Sequence, residues 1–153
     1  MTDQDTITRD RNQKVVKDFL ALLAAKNIEA WIELWADDGV QEMPYSPPGF
    51  PSRIEGKTAI HLHYSGLPDA YSRMAFPDLK IYPMLDPHWL LAEYRGEIDI
   101  TATGHAYNNH YCALFHLRNR RIVLFKEYFN PIILSEAFGD TSSLEATFNL
   151  SAK

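Results

Sequence analysis

With 153 residues and a net charge of −5, the chain has material for one hydrophobic core and no need of a second domain. Its single cysteine, Cys112, excludes an intrachain disulfide and a cysteine-built zinc site, and the lack of a dense basic run argues against nucleic acid as a partner. No apolar stretch reaches the roughly 20 residues that a bilayer crossing needs, and the N-terminus is polar rather than basic then apolar, so a cytoplasmic protein with no membrane partner is expected.

In chain order, residues 1–11 are polar and are expected to be flexible, as is the polar tail 140–153. From Asn12 the apolar period becomes helical, with Val15, Phe19 and Leu22 on one stripe and Val16, Leu20 and Leu23 beside it. Asn27 is predicted to close this helix in a left-handed conformation and to begin the next. That second helix puts Ile28, Trp31, Ile32 and Trp35 on one face and stops at Asp37-Asp38-Gly39. Val40 to Met43 reads as a strand cut off by Pro44. Ser46 to Pro51, with three prolines and a glycine, suits a loop over a cavity mouth or a rigid connector. Gly56 precedes a third helix from Lys57 to about Leu67, in which Ile60, His63, Tyr64 and Leu67 share a face. Pro68 and Pro77 bracket a segment with no defined pattern.

The second half reads as strands: Leu79 to Met84, Trp89 to Thr101, His105 to Leu117 and Arg121 to Asn130. Turns fall at Asp86-Pro87, Ala102-Thr103-Gly104 and Arg118-Asn119-Arg120. Arg118, Arg120 and Arg121 form the one basic cluster, which reads as a solvated turn. Ile132 to Phe138 makes a final short helix after Pro131. Helices first and hairpin-connected strands afterwards predict an α+β fold, with helices on one side of a curved antiparallel sheet. Eight Tyr, eight Phe and three Trp suit a core that also lines a pocket.

Glu127 is the most informative ionisable residue. In the last strand Val123, Phe125, Glu127 and Phe129 share one face and Ile122, Leu124, Lys126 and Tyr128 the other, so each face holds one charge. Periodicity does not decide which face is inward. An inward Glu127 would be desolvated by Phe125 and Phe129 and driven towards the range useful for a general acid or base. The plain alternative is a carboxylate at the cavity rim paired with Arg or Lys. His63 on an apolar helix face reads more readily as a core residue, and Asp38 as a turn residue. His61 and His63 do not face one another on a helix. His110 and His116 share a strand face with His105 opposite. No metal-ligand signature, serine elbow or phosphate loop occurs, so no metal or cofactor is expected.

Three motifs carry a resemblance: Leu124-Phe125-Lys126-Glu127-Tyr128-Phe129-Asn130-Pro131, Trp35-Ala36-Asp37-Asp38-Gly39, and Glu55-Gly56-Lys57 opening a helix. From about Asn12 to Phe138 the chain resembles the cone-shaped nuclear-transport-factor-2-like superfamily. Within it the chain resembles the SnoaL-like and ketosteroid-isomerase-like proteins, and most closely the phenazine-biosynthesis A/B family. That resemblance implies an acid/base site of Glu127 on the last strand, His63 on the third helix and Asp38 at the end of the second helix. Asn119-Arg120 replaces the usual glycine of the last hairpin turn, and the loop at Pro47 to Pro51 is unusually rich in proline.

The expectation is therefore an isomerase, cyclase or condensation catalyst on a cyclic ketone-like substrate, using Glu127, His63 and Asp38 without a cofactor. Trp31, Trp35, Tyr45, Tyr64, Tyr94, Tyr107, His110, Tyr111, Phe125 and Phe129 are the expected walls for a small apolar or aromatic molecule. Two alternatives stand beside it: a dehydratase using Asp38, His105 and His110, and a non-catalytic binding or dimerisation module. A homodimer through the outer face of the sheet is expected, since both faces of the last strand carry apolar residues such as Ile122, Leu124 and Tyr128.

Overall fold

The structure, a computed structural model, describes residues 2–138, and the expected tail at 140–153 lies outside them. The chain begins in a helix, α1 (Asp3–Ala24), rather than in a flexible segment. The reason is local: the Thr2 hydroxyl accepts from the Asp5 N–H at 3.1 Å while the Asp5 carboxylate accepts from the Thr2 N–H at 3.2 Å. This reciprocal cap satisfies amides that would otherwise fray. The same end is tied to the sheet, because Arg9 donates to the carbonyls of Met84 and Leu85, and Asn12 donates to that of Pro87 at 3.0 Å. The predicted stripe is buried, with Val16 and Phe19 wholly covered.

The left-handed residue after α1 is Lys26 (φ 59°) rather than Asn27. Asn27 instead caps α2 (Ile28–Ile32), its side-chain oxygen accepting from Ala30 N–H at 3.2 Å. The helix ends there, and Trp35 opens a strand, β1 (Trp35–Glu42), so Asp37-Asp38-Gly39 lies within a strand and not at a helix end. Gly39 is required by close approach: a Cβ there would lie 2.8 Å from Trp35 Cε3 and 3.0 Å from the Ile122 carbonyl.

The remaining elements are β2 (Arg53–Glu55), α3 (Lys57–Tyr64), α4 (Leu67–Ala70), β3 (Tyr71–Ala75), β4 (Lys80–Pro83), β5 (Trp89–Ile100), β6 (Ala106–Arg118), β7 (Arg121–Tyr128) and α5 (Pro131–Phe138). The sheet runs β2-β1-β7-β6-β5-β3, with β4 beside β3 on the same edge of β5. It is mixed rather than antiparallel throughout, since β1 and β7 pair in parallel. A parallel pair needs a long connection, and the whole middle of the chain separates these two strands. α1, α3 and α5 pack against this sheet.

Alternation along β5 and β6 places Leu90, Ala92, Tyr94 and Ile98, then Tyr107, Tyr111, Ala113 and Phe115, on the buried face. The register aligns Leu90, Phe115 and Phe125 in one row across three strands, Ala92, Ala113 and Glu127 in the next, then Tyr94 with Tyr111. Phe19 closes the first row, its ring 5.2 Å from Trp31, 5.2 Å from Phe115 and 4.8 Å from Phe125. Among the described residues no helix is long and apolar enough to cross a membrane.

Candidate functional site

The face of β7 is decided by a bulge. Leu124 pairs with His116 but Ile122 pairs with Leu117, so strict alternation breaks at Val123. Ile122 and Phe125 are therefore both buried, although simple alternation puts them on opposite faces. Beyond the bulge Glu127 faces inward with Phe125 and Phe129, and Lys126 faces outward, 3.8 Å from Glu42. Ala92 and Ala113 share the Glu127 row and are fully buried.

Glu127 lines a cavity of about 90 Å³. Glu127, Phe125, Phe129, Tyr64, Tyr94, Tyr107 and Tyr111 contribute its polar and aromatic wall. Leu20 and Leu23 of α1, Leu67 of α4, Tyr71 and Met74 of β3, Phe76, Ile98 of β5 and Leu134 of α5 complete it. Its helical side follows from the apolar stripe of α1, which was legible as a core face. Tyr71, Met74 and Phe76 were not anticipated, because they belong to the segment between Pro68 and Pro77, whose short strand has no period of its own.

Among the described residues Glu127 makes one direct polar contact: the Tyr94 hydroxyl donates to its Oε2 at 2.6 Å. Burial raises the Glu127 pKa to about 7, and the Tyr94 hydrogen bond, which favours the anion, only partly opposes that rise. Tyr94 is itself held in the neutral phenol form, first by burial and then by the neighbouring Glu127 charge. Glu127 is thus not a rim carboxylate locked to an arginine.

A second polar pole is Tyr64. Gln41, 1% exposed, donates through Nε2 to the Tyr64 hydroxyl oxygen at 2.8 Å. The phenol's lone pair is thereby engaged and its own proton is left to donate. Burial, then the Glu127 charge, raises the Tyr64 pKa and keeps that proton in place. At a third point Tyr111 and Asn109 both donate to the Tyr107 hydroxyl oxygen at 3.1 Å, and burial lifts the Tyr107 pKa to about 12. The Asn109 side chain also donates to the Asn130 carbonyl and accepts from the Asn130 N–H, which holds the β7–α5 junction against β6.

Other expected site residues lie elsewhere. Asp38 is exposed and paired with Arg118 at 2.6 Å, its pKa lowered by that hydrogen bond, because β1 carries it to the surface. His63 is buried at 6% exposure, but its ring packs against Phe50 and Tyr64 and it is not part of the cavity wall. Trp31 and Trp35 are core residues at 0% and 1% exposure, a ring's width from Phe19 rather than on the wall. Tyr45 is 59% exposed and meets the Tyr128 ring edge-on outside the cavity. His110 is exposed because the inward positions of β6 are the alternate ones, and His105 is exposed in the turn before β6, so the dehydratase arrangement lacks its imidazoles. The proline-rich loop lies along a surface cleft with Pro131 and Ile132 and does not contribute to the cavity wall. Among the described residues no group of three or more His, Cys, Asp or Glu is placed to hold a metal ion.

A cone of sheet closed by helices, with one raised carboxyl group on its inner wall, defines a pocketed α+β domain of the NTF2-like type. The chain belongs to the SnoaL-like family, whose domain model matches residues 16–125. It is 33% identical over 126 residues to the uncharacterized protein YesE of Bacillus subtilis, covering 82% of this chain and 86% of that one. It is 29% identical to the uncharacterized PhzA/B-like protein PA3332 of Pseudomonas aeruginosa, over 83% of this chain and 89% of that one. Among solved structures, a Bacillus subtilis protein carrying a provisional isomerase name superposes with a TM-score of 0.81 at 32% identity, over 86% of this chain and 95% of that one. An NTF2-like protein from Burkholderia xenovorans shares the fold alone, with a TM-score of 0.68 at 16% identity over 84% and 95% of the two chains.

Proposed function

We propose that this protein is an acid/base enzyme acting on a compact, neutral carbonyl compound, moving a proton next to the carbonyl group through Glu127. The observation that carries the reading is the Glu127 carboxyl group, raised to about 7 on the wall of an otherwise uncharged cavity. A carboxyl group in that range takes a proton in one step and returns it in the next, which is the requirement of an isomerisation. Tyr64, with its acceptor side occupied by Gln41, donates to the carbonyl oxygen as negative charge develops there. Tyr94 adjusts the basicity of Glu127. His63 and Asp38 are given no proton-transfer step. The PhzA/B-like relative and the neighbour with the provisional isomerase name support an acid/base activity without naming a substrate.

Volume limits the ligand. An apolar cavity of about 150 Å³ accepts benzene, so at about 90 Å³ even one ring requires wall residues to give way. A polycyclic ligand would require far more opening. Cyclopentanone in D₂O is a suitable probe, because exchange of its α-hydrogens reports proton transfer by NMR. Wild type should accelerate exchange, and Glu127→Gln should lose about 10² to 10⁴-fold of that acceleration while remaining folded. Equal exchange by both proteins would refute the assignment. Saturable binding of cyclopentanone with no exchange would make the chain a binding module instead.

A further inference from the structure

The basic turn that the reading above leaves unused lines a second cleft. This cleft, about 280 Å³, lies between α1, the β4–β5 turn and the β6–β7 turn, and shares no residue with the Glu127 cavity. Its walls are Thr8, Arg11 and Asn12 of α1, His88, Asn119 and Arg120. Every one of these side chains can donate a hydrogen bond and none is a carboxylate. Among the described residues neither Arg11 nor Arg120 makes an ion pair or a side-chain hydrogen bond, whereas Arg118 of the same turn is paired with Asp38. The neighbouring carboxylate, Asp86, is already engaged by the backbone N–H of His88 at 2.9 Å and by its Nδ1 at 3.0 Å.

A second observation comes from the backbone. Arg118 pairs with Arg121, so Asn119 and Arg120 form a two-residue hairpin turn, with φ of 51° and 62°. A turn with both φ values positive takes asparagine readily at its first position and prefers glycine at its second. Arg120 occupies that second position in a left-handed conformation that disfavours a side chain. The sequence thus keeps a guanidinium at a place where folding alone would favour glycine, and the guanidinium lines the cleft with an unpaired arginine from another element. The cleft is anchored rather than fluid, because Arg9 and Asn12 bind the β4–β5 turn to α1.

We propose that this cleft binds a phosphate-type oxyanion, with Arg11 and Arg120 as the charged clamps and Thr8 and Asn119 as further donors. Guanidinium forks match tetrahedral oxyanions in paired hydrogen bonds. The volume leaves room for a group attached to the phosphate.

The test is thermal unfolding of the whole chain at pH 7 in 10 mM sodium phosphate, in 10 mM phenyl phosphate, and in sodium chloride of equal ionic strength. For a dissociation constant of about 1 mM, either phosphate should raise Tm by roughly 3–6 °C over chloride. A rise with both assigns the site to a terminal phosphate of a larger molecule, and a rise with inorganic phosphate alone assigns it to the free ion. Arg120→Gly should raise Tm in chloride, because it relieves the left-handed residue, and should abolish the phosphate-dependent rise. Arg11→Gln should abolish that rise while leaving Tm in chloride unchanged. Equal Tm values in phosphate and chloride for wild type, or a phosphate-dependent rise surviving in both variants, would overturn the proposal.

Discussion

Replacing Glu127 by glutamine should stabilise the protein, and by an amount that depends on pH in a defined way. The carboxyl group titrates at about 7 in the fold against 4.5 for an ordinary glutamate. Below pH 4.5 it is protonated in both folded and unfolded chains, so it contributes no difference. Between 4.5 and about 7 the unfolded chain releases the proton while the folded chain retains it, so stability falls as pH rises. Above 7 both forms are ionised and the loss is complete. Each pH unit separating the two values is worth about 1.4 kcal/mol, so the buried carboxylate costs about 3 kcal/mol at pH 8. Glutamine keeps the shape and accepts the Tyr94 hydrogen bond but carries no charge. Urea unfolding of wild type and Glu127→Gln should therefore give similar free energies at pH 4.5, and a variant more stable by about 3 kcal/mol at pH 8. For a domain of this size that difference corresponds to roughly 6–12 °C in Tm. A difference independent of pH, or a variant less stable at pH 8 than at pH 4.5 relative to wild type, would refute the buried-carboxyl argument.

Tyr94→Phe should raise the Glu127 pKa further, by about 1 to 2 units, because a hydrogen bond to a charged group is worth roughly 1.5–3 kcal/mol; carboxyl infrared absorption against pH measures it. Asp38→Ala should leave both cyclopentanone exchange and the thermal melt unchanged, since its pair with Arg118 is solvent-exposed. Gly96→Ala should destabilise by about 1–3 kcal/mol, because its Cβ would stand 2.6 Å from Tyr111 Cε2 and displace a wall residue, which thermal melts will detect. The half-buried outward residues Leu91, Leu114, Leu124 and Tyr128 form the face proposed for a second copy, and light scattering at micromolar concentration should return the mass of two chains. A single-chain mass would remove the dimer proposal.

The order of elements and the class of fold were legible in the sequence, because hydrophobic period, prolines and turn residues are local signals. The third helix, the long hairpin strands and the short final helix follow from them, and so does the segregation of helices to one side. The helix over residues 3–11 has no apolar stripe to announce it in sequence, since a terminal cap and the contacts of Arg9 and Asn12 hold it. β1 was read partly as helix because Trp35 continues the spacing of Trp31 and Ile32, whereas its partner is β7, more than 80 residues away. Glu127 was identified by sequence as a candidate, but its face was not, since β7 carries one charge on each face and its bulge disrupts alternation. Only the folded chain brings Glu127 together with residues of α1, α4, β3, β5, β6 and α5 around one cavity. Likewise the pairing of Tyr94 with Glu127 and of Gln41 with Tyr64, and the removal of Asp38, Trp31 and Trp35 from the site, depend on contacts between residues far apart in the chain. Periodicity tells which residues prefer burial; which buried residues meet around a cavity is fixed by strand register and sheet curvature, and these exist only in the tertiary structure.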